Sequence, residues 1–329
     1  MSDTAVFLSP GKTVASVLDR VKLAEQLGYE AVFTTNIASH DGLMALAAYA
    51  GVTERIKLGT GVLPAFNRHP IALAQEAATL DEFSNGRLWL GIGTSHAATM
   101  QGWYGFPFDK PLSQLKEYLE VLRALMRNGA VQHTGAYYTA NFAFAGAGPR
   151  PEMPIMISGL SPKTLAYAGA TCDGVILWCC LPSYIESTVA PIVRQAERDA
   201  GRPEGSCKII AAVPSAVGDG DAIRGALRRD LLVYWTLPFY RAVIGEAGFV
   251  DDLARFDEKL KAGDVPAAVG QIPDAFLDQL AGIGDAETVR ARIETYRKAG
   301  CDLPAVGMIS APRDAATPEA ALEAAAPAR

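Results

Sequence analysis

Three segments hold the residues of this chain best suited to chemistry: "LGTGVLP" (58–64), "LGIGTSH" (90–96) and "ISGLSPKT" (157–164). Each runs from apolar residues into glycine and then into hydroxyl, imidazole or ammonium groups, as a strand does when its end approaches a ligand. A dinucleotide fingerprint needs a third glycine opening a helix, and Pro64 and His96 occupy those places, which argues against a Rossmann phosphate site. There is no GxxxxGK[ST] loop either. In the third segment Ser161 and Pro162 read as N-cap and first residue of a helix, with Lys163 in its first turn. Such a helix start offers backbone N–H groups to an anion, although an ordinary capped helix explains the same residues.

Few other side chains compete for a catalytic role. His96 follows Ser95 at a strand end, where it either moves a proton, bonds a cofactor ring or orders a loop. His69, between Arg68 and Pro70, reads as a loop or helix-opening residue. Asn36 and His40 follow another strand, Asp41 lies where it meets a helix dipole, and Trp178 either walls a pocket or packs. The five cysteines show no CxxC or zinc-type spacing, and the adjacent Cys179 and Cys180 read as reduced residues. With four scattered histidines and no HExxH, no metal site is expected.

These segments are positioned by a repeated joint in which a helix ends at glycine or another turn residue and a short link enters an apolar strand. The joint recurs in "LAEQLGYEAVFT" (23–34), "LAAYAGVTERIKLGTG" (46–61), "ATLDEFSNGRLWLGIG" (78–93), "TLAYAGATCDGVILW" (164–178) and "YRKAGCDLPAVGM" (296–308). The first helix carries Val14, Val17, Leu18, Val21, Ala24 and Leu27 at three- and four-residue spacing, one apolar stripe. The strands are apolar on nearly every residue, as parallel strands covered on both faces must be. With "TAVFLSP" (4–10), "MPIMISG" (153–159) and "CKIIAAVPSAV" (207–217) there are eight candidate strands. Eight strands alternating with helices favour an α/β fold, a (β/α)8 TIM barrel, over an open sheet, and place function at the C-terminal strand ends.

Two excursions interrupt the repeat: an irregular or short β segment over 129–152 and a mainly helical insertion over 236–272. Their aromatic residues, Tyr137, Tyr138, Phe142, Phe144, Trp235, Phe239 and Tyr240, suit pocket walls, a dimer interface or a satellite core. We read residues 1–310 as one domain and the Ala/Pro-rich 311–329 as a frayed tail. The net charge of −6 comes with scattered basic residues, which argues against nucleic-acid binding. No signal peptide and no membrane-spanning apolar run is legible, so a cytoplasmic protein with no membrane partner is expected.

Taken together, "IKLGTGVLPAFNRHPIALAQEAATLDEFSNGRLWLGIGTSH" (56–96), "YGFPFDKPLSQLKEYLEVLRALM", "GLSPKTLAYAGATCDGVILW" and "GDAETVRARIETYRKAGCD" resemble the luciferase-like monooxygenase superfamily, and more closely its coenzyme F420-dependent oxidoreductases. The resemblance covers most of residues 5–308. It implies a TIM barrel, usually dimeric, that holds a flavin or deazaflavin at its C-terminal mouth. It implies a cis peptide at Gly61–Val62 behind the cofactor ring, and a cofactor lining of Thr94, Ser95 and His96. It also implies a phosphate loop at Ser158, Gly159, Leu160, Ser161 and Lys163. Members of the F420 branch often carry Asp-His after the second strand. Here Thr35 and Asn36 stand there, and an asparagine cannot act as a general acid near neutral pH. His96 is then the remaining proton-transfer candidate, and Asn36 can contribute hydrogen bonds. The implied activity is hydride transfer between F420 and a small organic molecule in a homodimer. The alternatives are an FMN-dependent monooxygenase on the same barrel and a non-catalytic flavin- or deazaflavin-binding protein.

Overall fold

The computed structural model describes residues 3–218 and 220–327. Its main sheet contains eight long-range parallel strands in the chain order expected: Ala5–Phe7, Ala31–Thr34, Lys57–Thr60, Leu88–Gly93, Ile155–Ser158, Gly174–Leu177, Lys208–Val217 and Leu303–Met308. Each lies beside its chain neighbour, and the sixth also pairs with the seventh, so the order closes on itself as in a (β/α)8 barrel. Two short strands, Leu63–Pro64 and Gly282–Gly284, add to the fourth and the seventh.

The chain divides into two compact units. One comprises Leu8–Glu25 and Ala31–Ser158 and holds strands two to five. Registers such as Val32↔Leu58, Leu58↔Leu88 and Leu90↔Ile155 run through it. Strands two and four are buried along their whole length, which explains their unbroken apolar character. Gly59 is small for a packing reason. A Cβ built on it would lie 2.3 Å from the Phe33 ring, which leans against Trp89 at a centroid distance of 6.2 Å. Within the expected apolar stripe of the first helix, Val17, Val21 and Ala24 are buried.

The 129–152 excursion contains a β-hairpin, Ala130–Thr134 with Thr139–Ala143. Its turn is held by one carboxylate: Glu117 accepts hydrogen bonds from the N–H groups of Ala136, Tyr137 and Tyr138 at 2.7–3.1 Å. Those three donors and His133 hold the Glu117 carboxyl below its usual value, against the opposing effect of burial.

The other unit holds residues 159–327 together with the short segments that include strand one and Gln26–Glu30. Strands six, seven, eight and one pair side by side in it. The insertion is helical, as expected, and extends beyond 236–272: Pro238–Glu246, Val250–Lys261, Val265–Gly270 and Asp274–Leu280. Trp235 is not a pocket wall but the centre of a satellite core, fully buried with Phe256 and Phe276 at 5.6 and 5.4 Å. The tail also differs from expectation. Pro318–Ala324 is a helix capped by Thr317, with Leu322 buried and its carbonyl accepting from the Tyr29 hydroxyl at 2.8 Å. A buried leucine and a tertiary hydrogen bond hold what its composition would leave frayed.

Candidate active site at the strand ends

Four strand ends supply candidate residues in the first unit. After strand two, Thr35 is tied to Ser9: its N–H donates to Ser9 Oγ at 3.0 Å, and the two hydroxyls lie 2.9 Å apart. The Oδ1 of Asn36 accepts from the N–H of Gly42 at 2.7 Å, while Asp41 caps the same helix through Met44 N at 3.0 Å. Asn36 therefore spends its acceptor on the start of helix Gly42–Ala50, which leaves its amide donor to face other groups. Asp41 has the helix-start role read for it, and it also forms an ion pair with Arg68. Arg68 reaches Glu76 at 3.2 Å as well. Burial raises the Glu76 carboxyl, and the Arg68 guanidinium opposes that rise.

At the end of strand three the Gly61–Val62 peptide is cis, at the bond the resemblance singles out. The chain does not then turn directly across the sheet. Leu63 and Pro64 resume pairing with strand four, opposite Ile92 and Gly93. Ala65 N–H completes the return by donating to Gly93 O at 2.8 Å. His69 opens the next helix, its Nδ1 accepting from Ile71 N at 3.2 Å, and Pro70 follows at the first helical position.

Strand four ends against both neighbours. A Cβ built on Gly93 would sit 2.4 Å from Ser158 Oγ and 2.8 Å from Val62 Cγ2, so only glycine lets these three residues share one place. Thr94 Oγ1 donates to Ser95 O at 3.2 Å, and Ser95 has φ of 60°. A left-handed serine is uncommon and is worth attention at a strand end, where it redirects the chain. It hands over to His96, the N-cap of Ala97–Gly102, whose imidazole makes no capping bond. Burial lowers the His96 pKa from its usual 6.5, so the ring is neutral near pH 7. A neutral imidazole offers one N–H donor and one acceptor nitrogen, the two functions that proton exchange requires.

Gly159, Leu160, Ser161 and Lys163 lie in the second unit. Ser161 caps Pro162–Thr171, accepting from Thr164 N at 3.3 Å. A Cβ on Gly159 would meet the Thr164 methyl at 2.2 Å. Leu160 is buried and its carbonyl accepts from the Tyr184 hydroxyl at 3.0 Å. Lys163 is exposed. Thr164 N–H is used by the cap and Pro162 has none, so the N–H groups of Leu160, Ser161 and Lys163 are the ones this turn can direct at an anion. That donor set suits a phosphate. Trp178 packs against Tyr234 at 5.6 Å, and Cys179 beside it is a second left-handed residue at a strand end, with φ of 49°. All five cysteines are free and buried.

Sequence reasoning passed over Ser9, the left-handed turn at Ser95 and the double ion pair of Arg68. The serine-proline pair after strand one was the available signal for Ser9, whereas nothing local marked the other two. Among the described residues no cluster of three His, Cys, Asp or Glu is placed to hold a metal ion, and no helix is long and apolar enough to cross a membrane.

Comparison with known proteins places this geometry in context. A Mycobacterium tuberculosis protein that carries the provisional name coenzyme F420-dependent oxidoreductase is 28% identical over 312 residues, covering 87% of this chain and 88% of its own. The 5,10-methylenetetrahydromethanopterin reductase of Methanopyrus kandleri is 26% identical over 321 residues, covering 91% and 90%. The solved coenzyme F420-dependent tetrahydromethanopterin reductase from Methanopyrus kandleri superposes with a TM-score of 0.85 at 24% identity, over 98% of this chain and 96% of that one. The family profile described as luciferase-like monooxygenase matches residues 2–303, and with nearly the whole barrel covered, the chain belongs to that family.

Proposed function

We propose that this protein is an F420-dependent oxidoreductase that transfers a hydride between the deazaflavin and a small organic molecule. The observation that carries the reading is the likeness of almost the whole chain to one relative named as a coenzyme F420-dependent oxidoreductase and to another named as a methylenetetrahydromethanopterin reductase. When bound, the deazaflavin supplies a carbon that exchanges hydride, a chemistry that favours two-electron transfer over oxygen activation.

The chain's own residues supply the rest. Val62, Gly93 and Ser158 provide a compact uncharged support for the ring, held by the strand pairing of Leu63–Pro64. Asn36 and Thr35, fixed by Gly42 and Ser9, would help to hold it through hydrogen bonds. Thr94, Ser95 and His96 line it from strand four, and the neutral His96 imidazole carries a proton to or from the substrate. The N–H groups at Leu160, Ser161 and Lys163 take the phosphate, and the Lys163 ammonium adds positive charge. A homodimer belongs to the same reading: Met44 and Phe83 are 72% and 60% exposed and supply apolar contact area, which sedimentation of the purified chain checks.

The direct test titrates the purified protein with F420 and with FMN, following cofactor fluorescence. The proposal expects F420 to bind at least tenfold more tightly than FMN. Tight FMN binding without F420 binding would overturn it in favour of a flavin monooxygenase on the same barrel. Binding of F420 with no turnover across a panel of redox substrates would leave a carrier rather than an enzyme.

A further inference from the structure

The segment that follows His96 has a composition and an exposure that the cofactor does not explain. From Thr94 to Phe108 the chain contains no Asp, Glu, Lys or Arg. Within it Trp103, Tyr104 and Phe106 are 57%, 38% and 41% exposed, and the Tyr104 and Phe106 rings lie parallel at 6.0 Å with an interplanar angle of 6°. Exposed aromatic groups on a loop cost free energy in water, and three of them within the four residues 103–106 call for an occupant.

The backbone beneath them is fixed. Trp103 N–H donates to Thr99 O at 3.0 Å, Gly105 N–H to Gln101 O at 3.2 Å and Phe106 N–H to Met100 O at 2.9 Å, and Met100 is fully buried. The segment is also fastened to the residues that follow Leu63–Pro64. Asn67 Nδ2 donates to the Tyr104 hydroxyl at 3.2 Å, and Phe66 packs on Phe108 at 6.4 Å. The three rings therefore stand on a braced support that joins the C-terminal ends of strands three and four, the end at which barrels of this type place their chemistry.

We propose that Trp103, Tyr104 and Phe106 form the substrate platform, and that it takes an uncharged, planar, conjugated ring. The inference rests on the proposed F420-dependent reading. A flat ring presents its face to the aromatic side chains and removes both from water, and an uncharged one loses no ionic hydration on entering a segment without a counter-charge. The substrate must also lie against the cofactor ring for a hydride to pass, which a rigid platform beside His96 provides.

Isothermal titration tests this with 2,3-dimethyl-1,4-naphthoquinone, a planar uncharged probe blocked against thiol addition, and with non-planar cyclohexane-1,4-dione. Both are titrated into the native protein and into the W103A/Y104A/F106A variant, each with and without oxidised F420. The native protein should bind the naphthoquinone at least tenfold more tightly than the dione. The variant should lose at least tenfold of naphthoquinone affinity while keeping its melting temperature and its F420 affinity. Equal binding by the two proteins, or no preference for the planar probe, would overturn the platform. Loss of F420 affinity in the variant would assign the ridge to the cofactor, and a change of oligomeric state would assign it to a second copy. Either result contradicts the proposal. Failure of F420 itself to bind the native protein refutes the cofactor reading separately, because the probe titration without cofactor still reads the ridge.

Discussion

The two ends of the fourth strand face opposite demands. At its start Arg87, 5% exposed, spends its guanidinium on five acceptors: Ser84 O, Ile56 O, Ala50 O, Thr53 O and Thr53 Oγ1, at 2.7–3.3 Å. Ala50 ends helix Gly42–Ala50 and Thr53 follows it, where a cation also complements the helix dipole. Beside it the buried Asp81 carboxylate accepts from Leu88 N at 3.1 Å and from Arg150 Nε at 3.0 Å. At the other end, six residues on, stand Gly93, the left-handed Ser95 and a half-buried neutral histidine. One end saturates every polar group it buries. The other combines a glycine, a left-handed serine and a neutral imidazole, the arrangement expected where a barrel separates stability from chemistry.

Breaking the comparison at the start of the strand has the largest expected effect. Arg87→Met leaves buried carbonyls without donors and costs at least ~3 kcal/mol, read as a lower urea midpoint, while the cofactor affinity of the molecules that remain folded stays as it was. Gly93→Ala, at the other end, drives a methyl into Ser158 Oγ and Val62 Cγ2. It costs about 1–3 kcal/mol by overpacking, and it weakens F420 binding at least tenfold, where Arg87→Met does not. Adding Ser158→Gly removes the closer of the two clashes, so a double-mutant cycle in F420 affinity should show coupling.

His96 sharpens the contrast through pH. Burial disfavours the imidazolium, so its folded pKa lies below the usual 6.5, and protonation on acidification opposes the folded state in the window below that value. An NMR titration of the His96 ring should give a midpoint below 6.5, and the acid limb of any turnover that needs the neutral ring should disappear in His96→Gln. The smallest effect is at Ser95. Ser95→Gly relieves a left-handed serine and should raise stability by no more than about 1 kcal/mol in urea.

Much of this architecture was legible because its signals are local. Glycine joints, unbroken apolar strands, Pro70 after His69 and the Ser161–Pro162 cap each act over a few residues, and each element stands where its signal placed it. What escaped depends on partners distant in sequence. Asn36 could be placed after strand two, but its commitment to Gly42 follows from the path of the intervening loop. The return of Leu63–Pro64 to strand four depends on Ile92 and Gly93, which lie in another strand. For Trp235, aromatic composition does not distinguish a pocket wall, an interface and a satellite core, and Phe256 and Phe276 beside it decide for the core. The Ala/Pro-rich tail read as frayed because its anchors, Leu322 and Tyr29, are far apart in the chain.

Hydrogen–deuterium exchange of the native protein, with and without saturating F420, tests most directly whether the strand ends form the cofactor site. Slowed exchange should concentrate in the loop amides of Ala65–His69, Thr94–Ala98 and Leu160–Lys163, with far smaller changes at Thr53–Ile56 and Ser84–Arg87. Protection centred on the Arg87 end, or no protection by F420 where FMN gives it, would contradict the account.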